Sequence, residues 1–202
     1  MSPDRFYRNC YRILRVIMGI FYRLDVSGLE TAPDGAAMVC ANHSSRADPI
    51  LVALAFGINR HIHFIAKVSL FKVPVLSSVL KKLGMISVNR DISDVSTVKN
   101  TLKFLKSGEK VAIFPEGRRV GEDNGVAAKN GAVKLAERAG VPIIPVFLPR
   151  KKPLFRKVPI VIGAAYSIEK QTEKRTAADY EKLSNELMDA IKNLNPEERR
   201  DT

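Results

Sequence analysis

The sequence predicts a single α/β domain, with a mostly parallel central sheet flanked by helices and preceded by a basic amphipathic helix. The chain has 202 residues, 46% of them hydrophobic, which suffices for one core. Short apolar runs alternate with helical stretches as far as about Ile162, a pattern typical of strands joined by crossover helices. No repeat, low-complexity tract or linker interrupts this alternation. We therefore expect the helix over residues 1–24 and one domain over residues 25–202.

The first 24 residues place cations and apolar side chains on opposite sides of a helix. The arginines that recur at three- and four-residue steps are Arg5, Arg8, Arg12 and Arg15. The opposite side carries Phe6, Cys10, Ile13, Ile17, Ile20 and Leu24. The longest uncharged run, residues 16–22, is shorter than the roughly 20 residues that span a bilayer, and charges throughout the segment argue against a signal peptide. We expect the helix to lie in an anionic membrane interface; the alternative is packing of its apolar face on the domain.

The next segment combines a strand, a polar loop and a helix start. Ala36–Ala41 predicts a buried strand, and Asp48-Pro49 predicts a helix with Asp48 as its N-cap. The loop between them carries His43, five residues before Asp48. A carboxylate on one ring nitrogen of histidine leaves the other nitrogen to accept a proton. The pair therefore predicts a general base for a hydroxyl nucleophile, although a helix cap alone also explains Asp48.

Three later segments also place polar or cationic residues next to short apolar strands. They are Gly84–Arg90, Val111–Arg119 and Gly140–Val146. In the second segment a turn presents Arg118 and Arg119, whose forked donors and permanent charge suit a phosphate; a solvated basic loop is the alternative. In the third, a helix-ending glycine precedes a buried strand that carries two prolines.

Three helices are predicted in the second half of the chain. The first covers Ser93–Lys106 and is closed by Gly108, and the second covers Ala127–Ala139 and is closed by Gly140. The third runs from a Thr176 cap to Leu194, before Pro196. Its apolar residues recur at helical spacing, so we expect it to pack on the core.

Cysteine and histidine usage predicts no metal site. Cys10 and Cys40 form no Cys-x-x-Cys or Cys/His cluster, which fits a reducing compartment. His61 and His63 share one face of an apparent strand, but neither a cysteine nor a carboxylate accompanies them. We interpret this histidine pair as structural or surface residues and expect no metal or cofactor.

The formal net charge of +12 favours a polyanionic partner, namely nucleic acid, an anionic membrane or a phosphorylated substrate. Aromatic residues are not interleaved with the basic residues of the core, and no base-reading module is present. We therefore expect no nucleic acid partner. A non-catalytic module that binds lipid or nucleic acid remains an alternative, as does a hydrolase, because a His-Asp pair activates water as well as an alcohol.

Four blocks, in this order, resemble the motifs of the glycerolipid acyltransferases. They are His43 with Asp48, Gly84–Arg90, Phe114–Gly117 and Val141–Pro145. The closest likeness is to the bacterial 1-acyl-sn-glycerol-3-phosphate acyltransferases. The likeness extends to Lys67, Pro74 and Lys129–Gly131, so that it leaves out only the first forty residues and the tail.

The resemblance implies a role for each matching residue. His43 resembles the base that takes the proton from the acceptor hydroxyl, and Asp48 its orienting partner. The residues that the resemblance assigns to binding of the substrate phosphate are Lys67, Arg90, Glu116, Gly117 and Arg119. Additional candidates for the site are Asn42, Ser45 and Arg118.

Three departures from the family pattern affect the acceptor site. The third block continues as Gly117-Arg118-Arg119 where Gly-Thr-Arg is usual, so the family arginine corresponds to Arg119. The second block has Asn89 where aspartate is common, and the first has Arg46-Ala47 in place of a large apolar pair.

The implied reaction is transfer of a fatty acyl group to the free hydroxyl of 1-acyl-sn-glycerol 3-phosphate. The donor would be a thioester of coenzyme A or acyl carrier protein, as a co-substrate rather than a cofactor. The expected location is the cytoplasmic face of the cell membrane, as a peripheral or monotopic protein. Glycerol 3-phosphate and other lyso-lipids are alternative acceptors.

Overall fold

The computed structural model describes residues 2–89, 94–117, 129–169, 171 and 173–197. The helices in these residues are α1 (Pro3–Phe21), α2 (Asp48–Phe56), α3 (Pro74–Lys82), α4 (Val95–Lys106), α5 (Gly131–Ala139) and α6 (Ala177–Lys192). The strands are β1 (Arg23–Ser27), β2 (Ala37–Ala41), β3 (Ile62–Lys67), β4 (Ile86–Val88), β5 (Lys110–Ile113), β6 (Ile143–Phe147) and β7 (Lys157–Ile162). Short 3₁₀ helices cover Leu29–Thr31 and Val68–Lys72.

The described strands form one sheet in the order β1-β7-β6-β2-β5-β3-β4. Neighbouring strands pair in parallel except β6 and β7, which are antiparallel. Strands β2 to β6 therefore share one direction, and β1 and β7 run the opposite way. This arrangement confirms the predicted α/β fold with a mostly parallel sheet.

Both faces of the sheet are covered by helices, which explains why the central strands are apolar along their whole length. All five residues of β2 are buried. One core cluster joins the sheet to α1, α2 and α3, and the other joins it to α4, α5 and α6. The predicted strand at Ala36–Ala41 is thus confirmed to within one residue.

Helix ends differ from the prediction by a few residues. Helix α4 begins at Val95, because the Asp94 side chain caps it by accepting a hydrogen bond from Thr97 N (3.1 Å); the predicted start, Ser93, lies outside the described residues. Helix α5 begins at Gly131, and residues 127–128 of its predicted start also lie outside the described residues. Helix α6 has the predicted Thr176 cap, and the buried side chains of Leu187 and Ile191 confirm that it packs on the core.

The N-terminal helix is amphipathic in a different way from that predicted. Helix α1 docks on α2, α3 and β1 through a buried face formed by Tyr7, Tyr11 and Met18. Phe6 and Cys10, predicted to face lipid, are partly buried against the same core. Leu24 belongs to β1, because the helix ends at Phe21 and the chain then enters the sheet.

A second apolar stripe on α1 is exposed. It consists of Ile13, Val16, Ile17 and Ile20, which are 46–68% exposed. All four predicted arginines of this helix are exposed as well. The helix therefore packs on the domain with one face and presents a basic and apolar surface with the rest.

A column of four rings links α1 to α4. Tyr7 stacks on His61 and His63 stacks on Phe104, with centroid distances of 3.9 and 3.8 Å. Between these pairs, the rings of His61 and His63 are tilted by 36° with their centroids 4.3 Å apart. His61 Nε2 lies 3.1 Å from the Leu83 carbonyl, and His63 Nδ1 lies 3.0 Å from the Gly84 carbonyl. A carbonyl accepts hydrogen bonds, so each histidine donates through that nitrogen. This contact agrees with the structural role predicted for the pair.

The histidine column predicts a loss of stability in acid. Burial, and then the neighbouring His63, lower the pKa of His61 from 6.5 to about 4, although Glu109 and Asp4 act in the opposite direction. Between pH 6.5 and about 4, the unfolded chain binds a proton that the folded chain does not. The free energy of unfolding should therefore be highest above this window and fall as the pH is lowered through it. Urea titrations across this range should give a shallower pH dependence for His61→Gln than for the wild type; equal slopes would contradict the prediction.

Candidate active site

The loops that follow β2, β5 and β6 lie at one edge of the sheet, because these three strands are parallel and neighbouring. In the part of the chain that the structure describes, these loops cover residues 42–47, 114–117 with 129–130, and 148–156. The carboxyl edge of parallel strands is the usual position of ligand sites in open α/β sheets. His43, Asp48, Glu116 and Lys152 are brought together at this edge.

His43 and Asp48 form the contact that their spacing predicts. His43 Nδ1 lies 2.9 Å from Asp48 Oδ2. The histidine side chain is 14% exposed, whereas the Asp48 side chain is fully buried. The imidazole also stacks on Phe114, with ring centroids 4.1 Å apart. The ring is thus held on one face and at one nitrogen.

The predicted N-cap role of Asp48 is wrong by one residue. Asp48 is the first residue of α2, and Ala47 takes the cap position without a side-chain hydrogen bond. The Asp48 carboxylate instead turns back over the preceding loop. Its Oδ2 accepts hydrogen bonds from the backbone N–H groups of Ser44 (2.7 Å) and Ser45 (2.8 Å). The side chain therefore shapes the loop that carries His43.

A buried lysine that the sequence analysis missed completes the cluster. Lys152 Nζ lies 2.9 Å from Asp48 Oδ1, and its side chain is only 4% exposed. The ammonium also donates hydrogen bonds to Ser44 Oγ (2.9 Å) and to the Pro149 carbonyl (2.6 Å). In the sequence, Lys152 belongs to a run of three cations, and only its position soon after an apolar strand distinguishes that run from a solvated loop.

These contacts keep Asp48 ionised. Burial alone would raise the pKa of Asp48, but hydrogen bonds from His43, Ser45 and Lys152 and the positive charge of Lys152 outweigh it and lower the pKa. An ionised carboxylate only accepts hydrogen bonds. In neutral His43 the proton therefore lies on Nδ1, and the lone pair lies on Nε2.

Glu116 links the second loop to the first. Its side chain is buried, and its Oε2 accepts a hydrogen bond from the backbone N–H of His43 at 2.8 Å. Burial raises the pKa of Glu116, and the His43 N–H partly offsets that effect. The resemblance assigned Glu116 to a phosphate site; the contact that the structure shows holds the backbone of His43.

Gly117 ends this turn in a left-handed conformation, with φ +68°. A Cβ atom at this position would lie 3.0 Å from the Lys129 side chain. A larger residue would therefore be strained by its backbone and would also crowd Lys129. The turn itself therefore requires glycine at position 117, a residue that the resemblance assigns to the phosphate site.

Asn42 joins the first loop to the third. Its Nδ2 donates to the Leu148 carbonyl (2.7 Å), and its Oδ1 accepts from Leu148 N (2.8 Å). Ser45 Oγ accepts a hydrogen bond from Ala47 N (3.2 Å). In the structure, these two of the three additional candidates therefore stabilise the backbone around His43.

The cations predicted to bind a phosphate are only partly described. Lys67 is exposed at the end of β3, at the same edge of the sheet as His43. Arg90, Arg118 and Arg119 lie outside the described residues. Their assignment to a phosphate site therefore stays a prediction.

The arrangement is suited to removing a proton from a hydroxyl group. His43 Nε2 has the lone pair, and Asp48 stabilises the imidazolium that forms when the ring takes a proton. In the described residues, no group of three or more His, Cys, Asp or Glu side chains is placed so that it could hold a metal. None of the helices in that part of the chain has the length and apolar character needed to cross a membrane.

Comparison with known proteins agrees with the motifs. The model of the acyltransferase family matches residues 23–148. Over 141 residues the chain is 36% identical to the 1-acyl-sn-glycerol-3-phosphate acyltransferase of Bacillus subtilis, a match that covers 69% of each chain. It is 31% identical over 144 residues to the enzyme of the same name from Borreliella burgdorferi, where the match covers 70% of this chain and 56% of the relative.

A chloroplast 1-acyl-sn-glycerol-3-phosphate acyltransferase of Arabidopsis thaliana is 32% identical over 132 residues, but this chain covers only 36% of that longer relative. Among solved structures, the fold is similar to that of the 1-acyl-sn-glycerophosphate acyltransferase PlsC from Thermotoga maritima. The TM-score is 0.65 at 23% identity, and the match covers 96% of this chain and 78% of that one.

The buried ion pair predicts a large loss of stability when its cation is removed. We expect Lys152→Met to lower the free energy of unfolding by about 3 kcal/mol or more, because a fully buried carboxylate loses its permanent countercharge. The matched control is Lys157→Met, since Lys157 pairs with Asp25 at 3.7 Å on the surface and such pairs contribute less than about 1 kcal/mol. Urea denaturation near neutral pH measures both variants. Equal small losses would show that Asp48 does not depend on Lys152.

Proposed function

Because the chain belongs to the acyltransferase family, we propose that it transfers a fatty acyl group from an acyl thioester to the free hydroxyl of 1-acyl-sn-glycerol 3-phosphate, giving phosphatidic acid. The observation that carries this proposal is the held imidazole of His43. Its Nδ1 is engaged by the buried Asp48, and its Nε2 has the lone pair needed to accept a proton.

The proposed reaction is a direct transfer. His43 Nε2 takes the proton of the acceptor hydroxyl as that oxygen attacks the thioester carbonyl. The tetrahedral intermediate then collapses and the carbon–sulfur bond breaks. His43 Nε2 returns its proton to the leaving sulfur, so the second product is the free thiol and the imidazole is neutral again. A positioned general base of this kind contributes about 10²- to 10⁴-fold to the rate. Since a thiolate is a good leaving group, the sequence of steps needs no acyl-enzyme.

Acceptor binding is assigned to the cations at the same edge. Lys67 ends β3 there, and we propose that Arg90 and Arg119 act with it on the acceptor phosphate. Guanidinium groups suit this task because they form paired, charge-assisted hydrogen bonds with phosphate oxygens. The proposed donor is a thioester of coenzyme A or acyl carrier protein, and no cofactor takes part.

The proposed working place is the cytoplasmic face of a membrane. Most of the exposed large apolar side chains in the described residues fall in three segments. These are Ile13, Val16, Ile17, Ile20 and Phe21 in α1; Leu70, Val73, Val75 and Leu76 around the start of α3; and Leu154 and Phe155 between β6 and β7. The second segment follows β3 and the third follows β6, and these two strands flank β2 and β5 in the sheet.

The last two segments and the end of α1 lie at the edge of the sheet on which His43 lies. Helix α1 ends there, because β1 begins beside the start of β7 and β7 is antiparallel to β6. A lipid surface that contacts this edge would present the acceptor directly to the site. The net charge of +12 favours the anionic cytoplasmic leaflet.

The general-base role predicts the effect of replacing His43. We expect His43→Gln to lower turnover by about 10²-fold or more, because glutamine cannot take the hydroxyl proton. Asp48→Asn should also lose activity. Formation of phosphatidic acid from a labelled acyl thioester and 1-acyl-sn-glycerol 3-phosphate is the measurement.

His61→Gln is the matched control, because His61 packs under α1 away from the site. At neutral pH it should keep most of the activity. A folded His43→Gln protein with wild-type turnover would end the general-base assignment.

The exposed stripe on α1 predicts how membrane binding depends on the helix. Replacing Ile13, Ile17 and Ile20 with serine should release the protein from anionic vesicles, because these side chains would otherwise be buried at the headgroup boundary. Co-sedimentation measures binding, and Val95→Ser is a control at an exposed apolar residue of α4. Unchanged sedimentation of the triple variant would show that α1 is not the anchor.

A further inference from the structure

The loop between β6 and β7 has two faces of different character. The loop, residues 148–156, contains four cations and no acidic residue. One of the cations, Lys152, is buried against Asp48. At the outer side, Leu154 and Phe155 are 53% and 64% exposed. An exposed leucine-phenylalanine pair within a strongly basic loop combines apolar area with positive charge, the two properties that favour an anionic lipid surface.

The backbone of Phe155 is held in a conformation that a phenylalanine rarely adopts. Its φ is +62°, the only positive φ of a non-glycine residue in the described chain. The conformation is maintained by the Phe155 N–H, which donates to the Phe21 carbonyl at the end of α1 (2.6 Å). Such a conformation is costly for a bulky residue, and exposing the ring to water adds to the cost. Neither cost is offset by packing in the core.

The loop tip continues the exposed apolar stripe of α1. The rings of Phe21 and Phe155 lie 6.2 Å apart, and Arg23, the first residue of β1, donates its backbone N–H to the Arg156 carbonyl. The loop starts at the edge of the sheet that carries His43. The tip and the end of α1 therefore form one basic and apolar surface beside the candidate site.

We propose that Leu154 and Phe155 insert into the headgroup boundary of an anionic membrane, as a second lipid contact beside α1. The inference deepens the proposed function and rests on its membrane location. Because Lys152 is three residues from Phe155 in the same loop and contacts Asp48, this contact would place the loop of His43 directly at the lipid surface.

The absence of tryptophan from the chain allows a direct test. In Phe155→Trp, the full-length protein has a single indole at the loop tip. On vesicles of phosphatidylglycerol and phosphatidylcholine its emission should shift to the blue, and brominated lipids should quench it. Ser107→Trp is the matched control, because Ser107 is exposed at the end of α4, just before β5 begins, and therefore lies at the opposite edge of the sheet from His43; its emission should not change.

A second variant separates lipid contact from a structural role. Phe155→Gly keeps the N–H that bonds to Phe21, and glycine adopts φ +62° without strain. We expect its urea midpoint to equal or exceed that of the wild type, while its vesicle partition coefficient falls about tenfold or more because the aromatic area is lost. A phenylalanine needed only for folding would give the opposite pattern, with a lower midpoint and unchanged partition.

Several results would overturn the proposal. They are unshifted Phe155→Trp emission on vesicles that the protein binds, equal shifts in Phe155→Trp and Ser107→Trp, absence of vesicle binding, and wild-type partition of Phe155→Gly. If Phe155→Trp does not fold, Leu154→Trp serves as the probe with the same expected shift. None of these measurements depends on acyl transfer. An inactive protein whose tip inserts would contradict the proposed reaction alone, whereas an active protein whose tip stays in water would contradict the insertion alone.

Discussion

Asp48 carries a fully buried negative charge, and the loops at the carboxyl edge of the sheet are arranged around it. One carboxylate oxygen accepts from His43 and from two backbone N–H groups, and the other faces the ammonium of Lys152. A buried charge without such partners would cost far more than a domain can tolerate. The contacts that stabilise this buried charge are therefore the same contacts that orient the imidazole. Stability and the proposed chemistry depend on one group.

The sheet topology makes this convergence possible. His43, Glu116 and Lys152 follow β2, β5 and β6, which are distant in sequence and adjacent in space. Each loop is tied to the first by a specific contact, Glu116 to the His43 backbone and Asn42 to the Leu148 backbone. The site is thus held by main-chain hydrogen bonds from two sides. This rigidity suits a base that must stay in one tautomer and one orientation.

None of the helices in the described residues could cross a membrane. Helix α1 and the β6–β7 loop nevertheless expose large apolar side chains on the surface of the domain. The aromatic face of α1 docks on the core, which leaves its isoleucine stripe exposed. The loop adds Leu154 and Phe155 to the same surface. The end of α1 and the loop tip therefore present apolar side chains at the edge of the sheet that carries His43, where the proposed lipid acceptor would arrive.

The sequence alone determined the fold class, the order of the elements and the His43–Asp48 pair. These rest on local signals, since the alternation of apolar runs sets the strands and a five-residue spacing lets the carboxylate reach the ring. It also indicated the Thr176 cap, the glycine turns and the basic character of the N-terminal helix. Asp48 was misassigned as a cap because an Asp-Pro pair carries the same local signal whether the carboxylate turns toward the helix or back over the loop.

Only the tertiary structure decided which of three consecutive cations is buried and which side of α1 faces the domain. Lys152 is identified by its contact with Asp48, about a hundred residues earlier in the chain, and no local pattern encodes a contact across that distance. Likewise, α1 carries apolar residues on more than one side, and the choice of Tyr7, Tyr11 and Met18 as the docked face depends on the shape that α2, α3 and β1 present. Local chemistry predicts elements and short-range pairs, whereas long-range packing decides which charges are buried and which apolar surfaces remain exposed.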